Sequence, residues 1–208
     1  MSIVMEVTII NGNPGKEDED FDRYIQSLES LLLSQKYTVH SYLLRDMDIR
    51  YCIGCWDCWW KTPGICRHKD DSVDIYRAIV TSDFLIMTSP IIAGFVSSLL
   101  KKFNDRMIPL LHPYVKLIQG ECHHRKRYAK YPLLGLIVKP EQSQEKEDLE
   151  IIEEIYKRFA LNFHSDLRFV NTDQDNPENI IRVILDSSSV REMDQKEEQP
   201  MGLADEPA

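Results

Sequence analysis

FLIMTSPIIAGFVSSLLKKFNDR (84–106) is the stretch that decides the fold class of this chain. Its first four residues are an unbroken apolar run, the mark of a strand buried on both faces of a sheet. Ser89-Pro90 ends that strand. Beyond it, Val96, Leu99, Leu100, Phe103 and Met107 recur at helical spacing. A buried strand feeding an amphipathic helix is half of a βαβ unit, and such units build parallel sheets.

Outward from this stretch the same alternation repeats. Residues 3–10 read as a strand with apolar residues on both sides of Glu6, and Asn11-Gly12-Asn13-Pro14-Gly15 is a strong turn signal. Apolar positions 21, 24, 25, 28, 31 and 32 share one helix face, and residues 37–44 (YTVHSYLL) read as a second strand. Asp71 or Ser72 caps a helix that turns Ile75, Tyr76, Ile79 and Val80 inward. Residues 133–138 give a fourth strand, and Leu149, Ile152, Ile155, Tyr156 and Phe159 an amphipathic helix. Leu167, Phe169 and Val170 give a fifth strand, and Ile180, Ile181 and Ile184 a short last helix. The pattern predicts an α/β fold, a doubly wound five-stranded parallel sheet with helices on both faces. Ligands of such sheets bind where loops leave the carboxyl ends of the strands. Loops 11–20 and 89–95 leave from that edge, and so does a loop that follows the second strand.

At 208 residues the chain suits one core, placed at 1–186. From Ser187 it is polar and acidic, which predicts a flexible tail over 187–208. The apolar runs are too short for a membrane span, and MSIVMEVTII, with no basic start, reads as a buried strand and not a signal peptide. A net charge of −9 disfavours nucleic acid as the main partner. Five cysteines, four of them clustered, argue against a secreted disulfide framework and fit a reducing cytoplasm.

The cluster is CIGCWDCWWKTPGIC, with Cys52, Cys55, Cys58 and Cys66 in the loop after the second strand. Four thiolates at this spacing can converge on one soft centre, either an iron–sulfur cluster or zinc. Reduced, metal-free thiols in a subunit contact are the third reading. Trp56, Trp59 and Trp60 interleave with the cysteines and suit a greasy lid or a dimer contact. In GECHHRKRY the adjacent His123 and His124 point apart on a strand or loop, so the run reads as a basic surface patch and not a metal site. Asp105 and Arg106 read as a helix-end ion pair, and Lys101 and Lys102 as a solvated helix face.

NGNPG after the first strand, C-x2-C-x2-C-x7-C followed by Asp70-Asp71, and residues 88–106 together resemble the flavodoxin-like NAD(P)H-dependent FMN reductases. Within them the chain is most similar to the iron–sulfur flavoproteins, over roughly residues 3–185. The resemblance implies FMN at the sheet edge, its phosphate in the first loop (Asn11, Asn13, Gly15, Lys16). The ring is then implied to lie against Ser89, Pro90, Ile91, Ile92, Ala93, Gly94 and Phe95. It also implies a 4Fe–4S cluster on the four cysteines, NAD(P)H as donor and a homo-oligomer, dimer or tetramer. The acceptor is a small molecule or a protein, and no side-chain acid or base is required, so no catalytic residue is nominated. Loop 140–147 (PEQSQEKE) is the third loop expected near the ring. The chain departs from the pattern at EDED (17–20), where the family brings a hydroxyl and an arginine. Two rival readings stand beside this one: a redox-sensing or partner-binding module without turnover, and a zinc-stabilised dimer.

Overall fold

The computed structural model describes residues 4–16, 18–141 and 146–197, with Lys146 and residues 188–197 by backbone alone. Its elements alternate as the apolar pattern requires. They are β1 (Glu6–Asn11), α1 (Glu19–Ser34), β2 (Thr38–Leu43), a short α2 (Asp57–Trp60), α3 (Ser72–Thr81), β3 (Phe84–Ile92) and β4 (Phe95–Val96). Then come α4 (Ser98–Arg106), β5 (Leu111–Ile118), β6 (Glu121–Lys126), β7 (Leu133–Lys139), α5 (Lys146–Asn162), β8 (Leu167–Thr172) and α6 (Pro177–Glu197).

Five strands form the parallel sheet, in the order β2-β1-β3-β7-β8. The apolar run at 84–87 is its centre, and successive side chains divide between the two faces. Phe84 and Ile86 join Phe21, Ile25 and Leu28 of α1 and Ile180 and Ile184 of α6. Leu85 and Met87 join Ile75 and Ile79 of α3, Leu100 and Phe103 of α4, and Ile152 and Tyr156 of α5. Because the chain runs from β1 outward to β2 and then back across to β3, the strand order reverses between β1 and β3. That reversal opens a crevice at the carboxyl ends, between the loop after β1 and the end of β3.

Three features differ from the sequence reading. β3 does not stop at Ser89-Pro90 but runs to Ile92, and β4 folds back antiparallel on it. The Thr88 carbonyl faces β1, where it accepts the Gly12 N–H. Pro90 has the same parity and lies past the last β1 pair, Asn11 with Thr88, so its missing N–H costs the ladder nothing. Second, residues 111–126 form a hairpin, β5 with β6, turning at Gln119 and Gly120 with φ of +51° and +84°. Third, α6 passes the expected boundary at Ser187 and ends at Glu197, while 198–208 lie outside the described residues.

Gly135 of β7 faces the Phe169 ring of β8, which stacks on Phe84 at 5.9 Å. A Cβ at 135 would overlap that ring. Gly135→Ala is therefore expected to cost about 1–3 kcal/mol, read as a lower urea midpoint. Adding Phe169→Leu should recover part of the loss, and an unshifted midpoint in the single variant would show that the ring moves aside freely.

Candidate functional site

Three N–H groups of the loop after β1, those of Gly12, Asn13 and Gly15, are taken by the protein's own acceptors. Asn11 and Asn13 are buried, and the Asn11 Oδ1 accepts the Asn13 N–H (2.9 Å) while the Asn13 Oδ1 accepts the Gly15 N–H (3.0 Å). Both Nδ2 groups donate to Asp22 Oδ1, at 2.9 and 3.1 Å. Arg45 holds the other Asp22 oxygen at 2.7 Å and donates to the Asn13 carbonyl. Burial alone would raise the Asp22 pKa, but the hydrogen bonds from Arg45, Asn11 and Asn13 outweigh it and hold the carboxyl below its usual range. Asp18 caps α1 by accepting the Phe21 N–H and pairs with Lys139. Gly12 is required by packing, since a Cβ there would lie 2.7 Å from the Leu100 Cβ and 3.0 Å from the Thr88 carbonyl. Lys16 is exposed.

Across the crevice, the buried Ser89 hydroxyl accepts the Ser97 N–H (2.8 Å) and donates to the Pro90 carbonyl (2.7 Å). It ties the end of β3 to the start of α4 and is a structural contact. Ile91 points into the core, Ile92 is half exposed, and Ala93 and Gly94 turn the chain with φ of +52° and +76°. Two positive φ values in a two-residue turn match the twist of the strands they join, at a cost of about 1–2 kcal/mol for a left-handed alanine. The Ala93 and Gly94 N–H groups both face the Glu141 carboxylate, at 3.0 and 3.4 Å. Two convergent amides beside the half-exposed Ile92 and half-buried Phe95 form an acceptor-binding edge with an apolar wall. Of loop 140–147, residues 142–145 lie outside the described residues.

The cysteine loop is held at its neck by one guanidinium. Arg106, in the last turn of α4, is 1% exposed and grips Asp70 with both Nη atoms (2.8 and 3.1 Å). It also donates to the Arg50 carbonyl, to Ser72 Oγ (3.0 Å) and to Cys66 Sγ (3.4 Å). Asp70 in turn accepts from the Arg50 and Ser72 N–H groups, and Asp48 and Asp71 bond to each other's backbone or side chain beside them. Burial opposes the Asp70 charge, yet the Arg106, Ser72 and Arg50 hydrogen bonds hold its carboxyl well below the usual range. The expected Asp105–Arg106 pair is therefore not formed: Asp105 pairs with Lys101 one turn back, and Arg106 turns inward.

All four cysteines, Cys52, Cys55, Cys58 and Cys66, line a single cavity together with Trp56, Arg106 and Ile108. Burial first, and then the three neighbouring thiols, push the Cys58 thiol up to about 11. Among the described residues no three His, Cys, Asp or Glu side chains converge closely enough to hold a single metal ion. The cavity that the four cysteines line is small, about 30 Å³. The cavity sits against the last turn of α4, whereas the turn at 93–94 leads into its first. Eight residue steps separate the helix ends, about 12 Å of rise. The loop leaves β2 at the ligand edge, as expected, but then folds back along α4.

Between these two ends, α4 and α5 enclose a pocket of about 240 Å³, with Phe95 at one end, Trp59 and Ile108 at the other, and Tyr156, Phe159 and Phe163 in its walls. Nothing in the sequence marked this pocket, because its lining comes from five separate segments. His124 of β6 lines it and packs against Trp59 in a tilted arrangement at 5.0 Å, while His123 bonds to Asn162.

No family model matches the chain. In sequence it is similar to an iron–sulfur flavoprotein of Archaeoglobus fulgidus, 31% identical over 111 residues, which is 52% of this chain and 48% of that protein. An iron–sulfur flavoprotein of Methanocaldococcus jannaschii is 28% identical over 116 residues, 56% of this chain and 57% of that one. The chain spans about half the length of the curated relatives it matches. In structure it superposes on an FMN-dependent NADH-azoreductase of Bacillus anthracis, solved with FMN. The TM-score is 0.55 at 13% identity, over 88% of this chain and 95% of that one. The fold is flavodoxin-like. These relatives are the subgroup, and this structural neighbour the wider group, that the sequence motifs resemble. Among flavodoxin-like sheets, this one carries its thiol-lined cavity on a loop clamped from α4.

Replacing Arg106 leaves Asp70 charged and buried, so Arg106→Met should cost about 3–5 kcal/mol in urea unfolding. Arg106→Lys should lose less, keeping the charge but not the fork. Both Asp70 and Asp22 have folded pKa values below the unfolded carboxylate value of about 3.9. The unfolded chain therefore binds more protons just below that pH, and stability present above it is lost as pH falls. Asp22→Asn should be less stable at pH 7 and show a shallower acid limb. An unchanged limb would contradict the assignment.

Proposed function

We propose that this protein is a flavin-dependent oxidoreductase that takes electrons from NAD(P)H and passes them to a small-molecule or protein acceptor. The carrying observation is the Ala93–Gly94 amide pair at the strand-order reversal, beside Ile92 and Phe95. Those donors now serve the Glu141 carboxylate, and a ring edge bearing carbonyl and imine acceptors suits the same pair. A bound flavin would supply two-electron uptake from the nicotinamide and stepwise release. The chain's own share is to hold the ring against Ile92 and Phe95 and to present donors from a backbone that the Ser89–Ser97 hydrogen bond fixes. Similarity to iron–sulfur flavoproteins supports this reading.

The similarity to iron–sulfur flavoproteins supports an iron–sulfur cluster on the four-cysteine loop over zinc. Cys52, Cys55, Cys58 and Cys66 would be the ligands, and Arg106 beside Cys66 offsets part of their charge. The apolar pocket between α4 and α5 lies between the two centres and suits a planar acceptor. The chain is proposed to act as a homo-oligomer, for which exposed Ile151 and Ile155 on α5 supply apolar surface.

A spectrum of anaerobically purified protein is expected to show flavin bands together with a broad sulfur-to-iron shoulder, and NADH or NADPH oxidation with a dye acceptor should follow. Cys58→Ser should remove the shoulder and leave flavin binding intact. Failure of flavin to bind or of nicotinamide to be oxidised would favour the module without turnover, for which the self-satisfied first loop speaks.

A further inference from the structure

The two ends of a flavin nucleotide make different demands, and this crevice meets only one of them. The ring asks for an apolar wall and a pair of amides, which the 89–95 segment offers. A phosphate dianion asks for unspent backbone N–H groups at a helix start, with a cation or hydroxyl near. In the loop after β1, the N–H groups of Gly12, Asn13 and Gly15 are all spent, on Thr88, Asn11 and Asn13. These are not surface contacts that a ligand displaces at little cost, because Asn11 and Asn13 are buried and share Asp22 with Arg45.

The charges point the same way. The start of α1 is capped by the Asp18 carboxylate, and Glu19, Asp20 and Asp22 fill its first turn. Asp173, after β8, repels Asp18 and adds to the negative field there. Against these stand Lys16 together with three cations already paired, Arg23 with Asp20, Arg45 with Asp22 and Lys139 with Asp18. A helix N-terminus attracts anions through its partial positive charge, but here a carboxylate of the chain already occupies that place.

Building on the flavin reading, we infer that the protein holds its flavin by the ring and does not read the phosphate, so that riboflavin and FMN are ligands of equal standing. Asp18, Glu19 and Asp20 are the residues that set this specificity. A phosphate gripped by two charge-assisted hydrogen bonds would instead favour FMN by about a hundredfold or more.

The test is equilibrium titration of the full-length, flavin-free protein with riboflavin and with FMN, followed by flavin fluorescence. Dissociation constants within tenfold of each other support the inference. FMN binding more than tenfold tighter overturns it and leaves the flavin reading standing, whereas no binding of either overturns the flavin reading and the inference with it. Salt gives an independent sign. Between about 0.01 M and 0.15 M the Debye length falls from about 30 Å to about 8 Å. Repulsion predicts that FMN binds tighter at the higher salt while riboflavin does not change. Weakening of FMN binding with salt would mark phosphate recognition and contradict the inference. The combined Asp18→Asn, Glu19→Gln, Asp20→Asn variant should raise FMN affinity at low salt and leave riboflavin unaffected. Asparagine keeps the helix cap, and an unchanged FMN affinity in this variant would remove these three residues from the account.

Discussion

The buried pair between Arg106 and Asp70 is the contact on which the distinctive part of this molecule depends. A nineteen-residue excursion between Arg50 and Asp70, rich in tryptophan and cysteine, has little regular structure of its own beyond the single turn of α2. It is fixed because one guanidinium, planted in the sheet-packed α4, reaches Arg50 at its entry and Cys66 and Asp70 at its exit. A charge pair this deep returns little net stability, since desolvation cancels most of the attraction. What it provides is position. With the fork satisfied, the thiols of one loop face a common cavity.

This arrangement also sets the distance between the two chemical regions. The acceptor-binding turn at Ala93–Gly94 precedes α4 and the thiol cavity follows it, so a helix of fixed rise is the spacer between them. The aromatic pocket beside that helix occupies the intervening space.

The sheet was legible because its strands obey one rule. Runs such as Phe84–Met87 and Leu133–Val138 are apolar on both faces only if both faces are covered, and the helices between them show matching stripes. The cysteine spacing put four thiols on one loop, and in the fold they line one cavity. Pro90 misled, because a proline ends a strand only where its N–H is needed, and here β1 had already turned away. The β5–β6 hairpin was hidden by exposure, since Tyr114, Val115 and Leu117 face solvent and leave no inward alternation to read. Arg106 looked like the partner of adjacent Asp105, and nothing in the local sequence tells that its partner is Asp70. The closed first loop was foreshadowed by its carboxylates, but the spending of its amides on Asn11 and Asn13 is a matter of side-chain direction that only the fold reveals.

Native-state amide hydrogen exchange over residues 48–72 tests the central claim, that α4 clamps the cysteine loop through Arg106. The account predicts that the Arg50, Asp71 and Ser72 amides exchange as slowly as those of α4, and that Arg106→Lys accelerates these neck amides while the β3 amides stay protected. Neck amides that exchange as fast as a free loop in the unaltered protein, or that ignore the substitution, would contradict it.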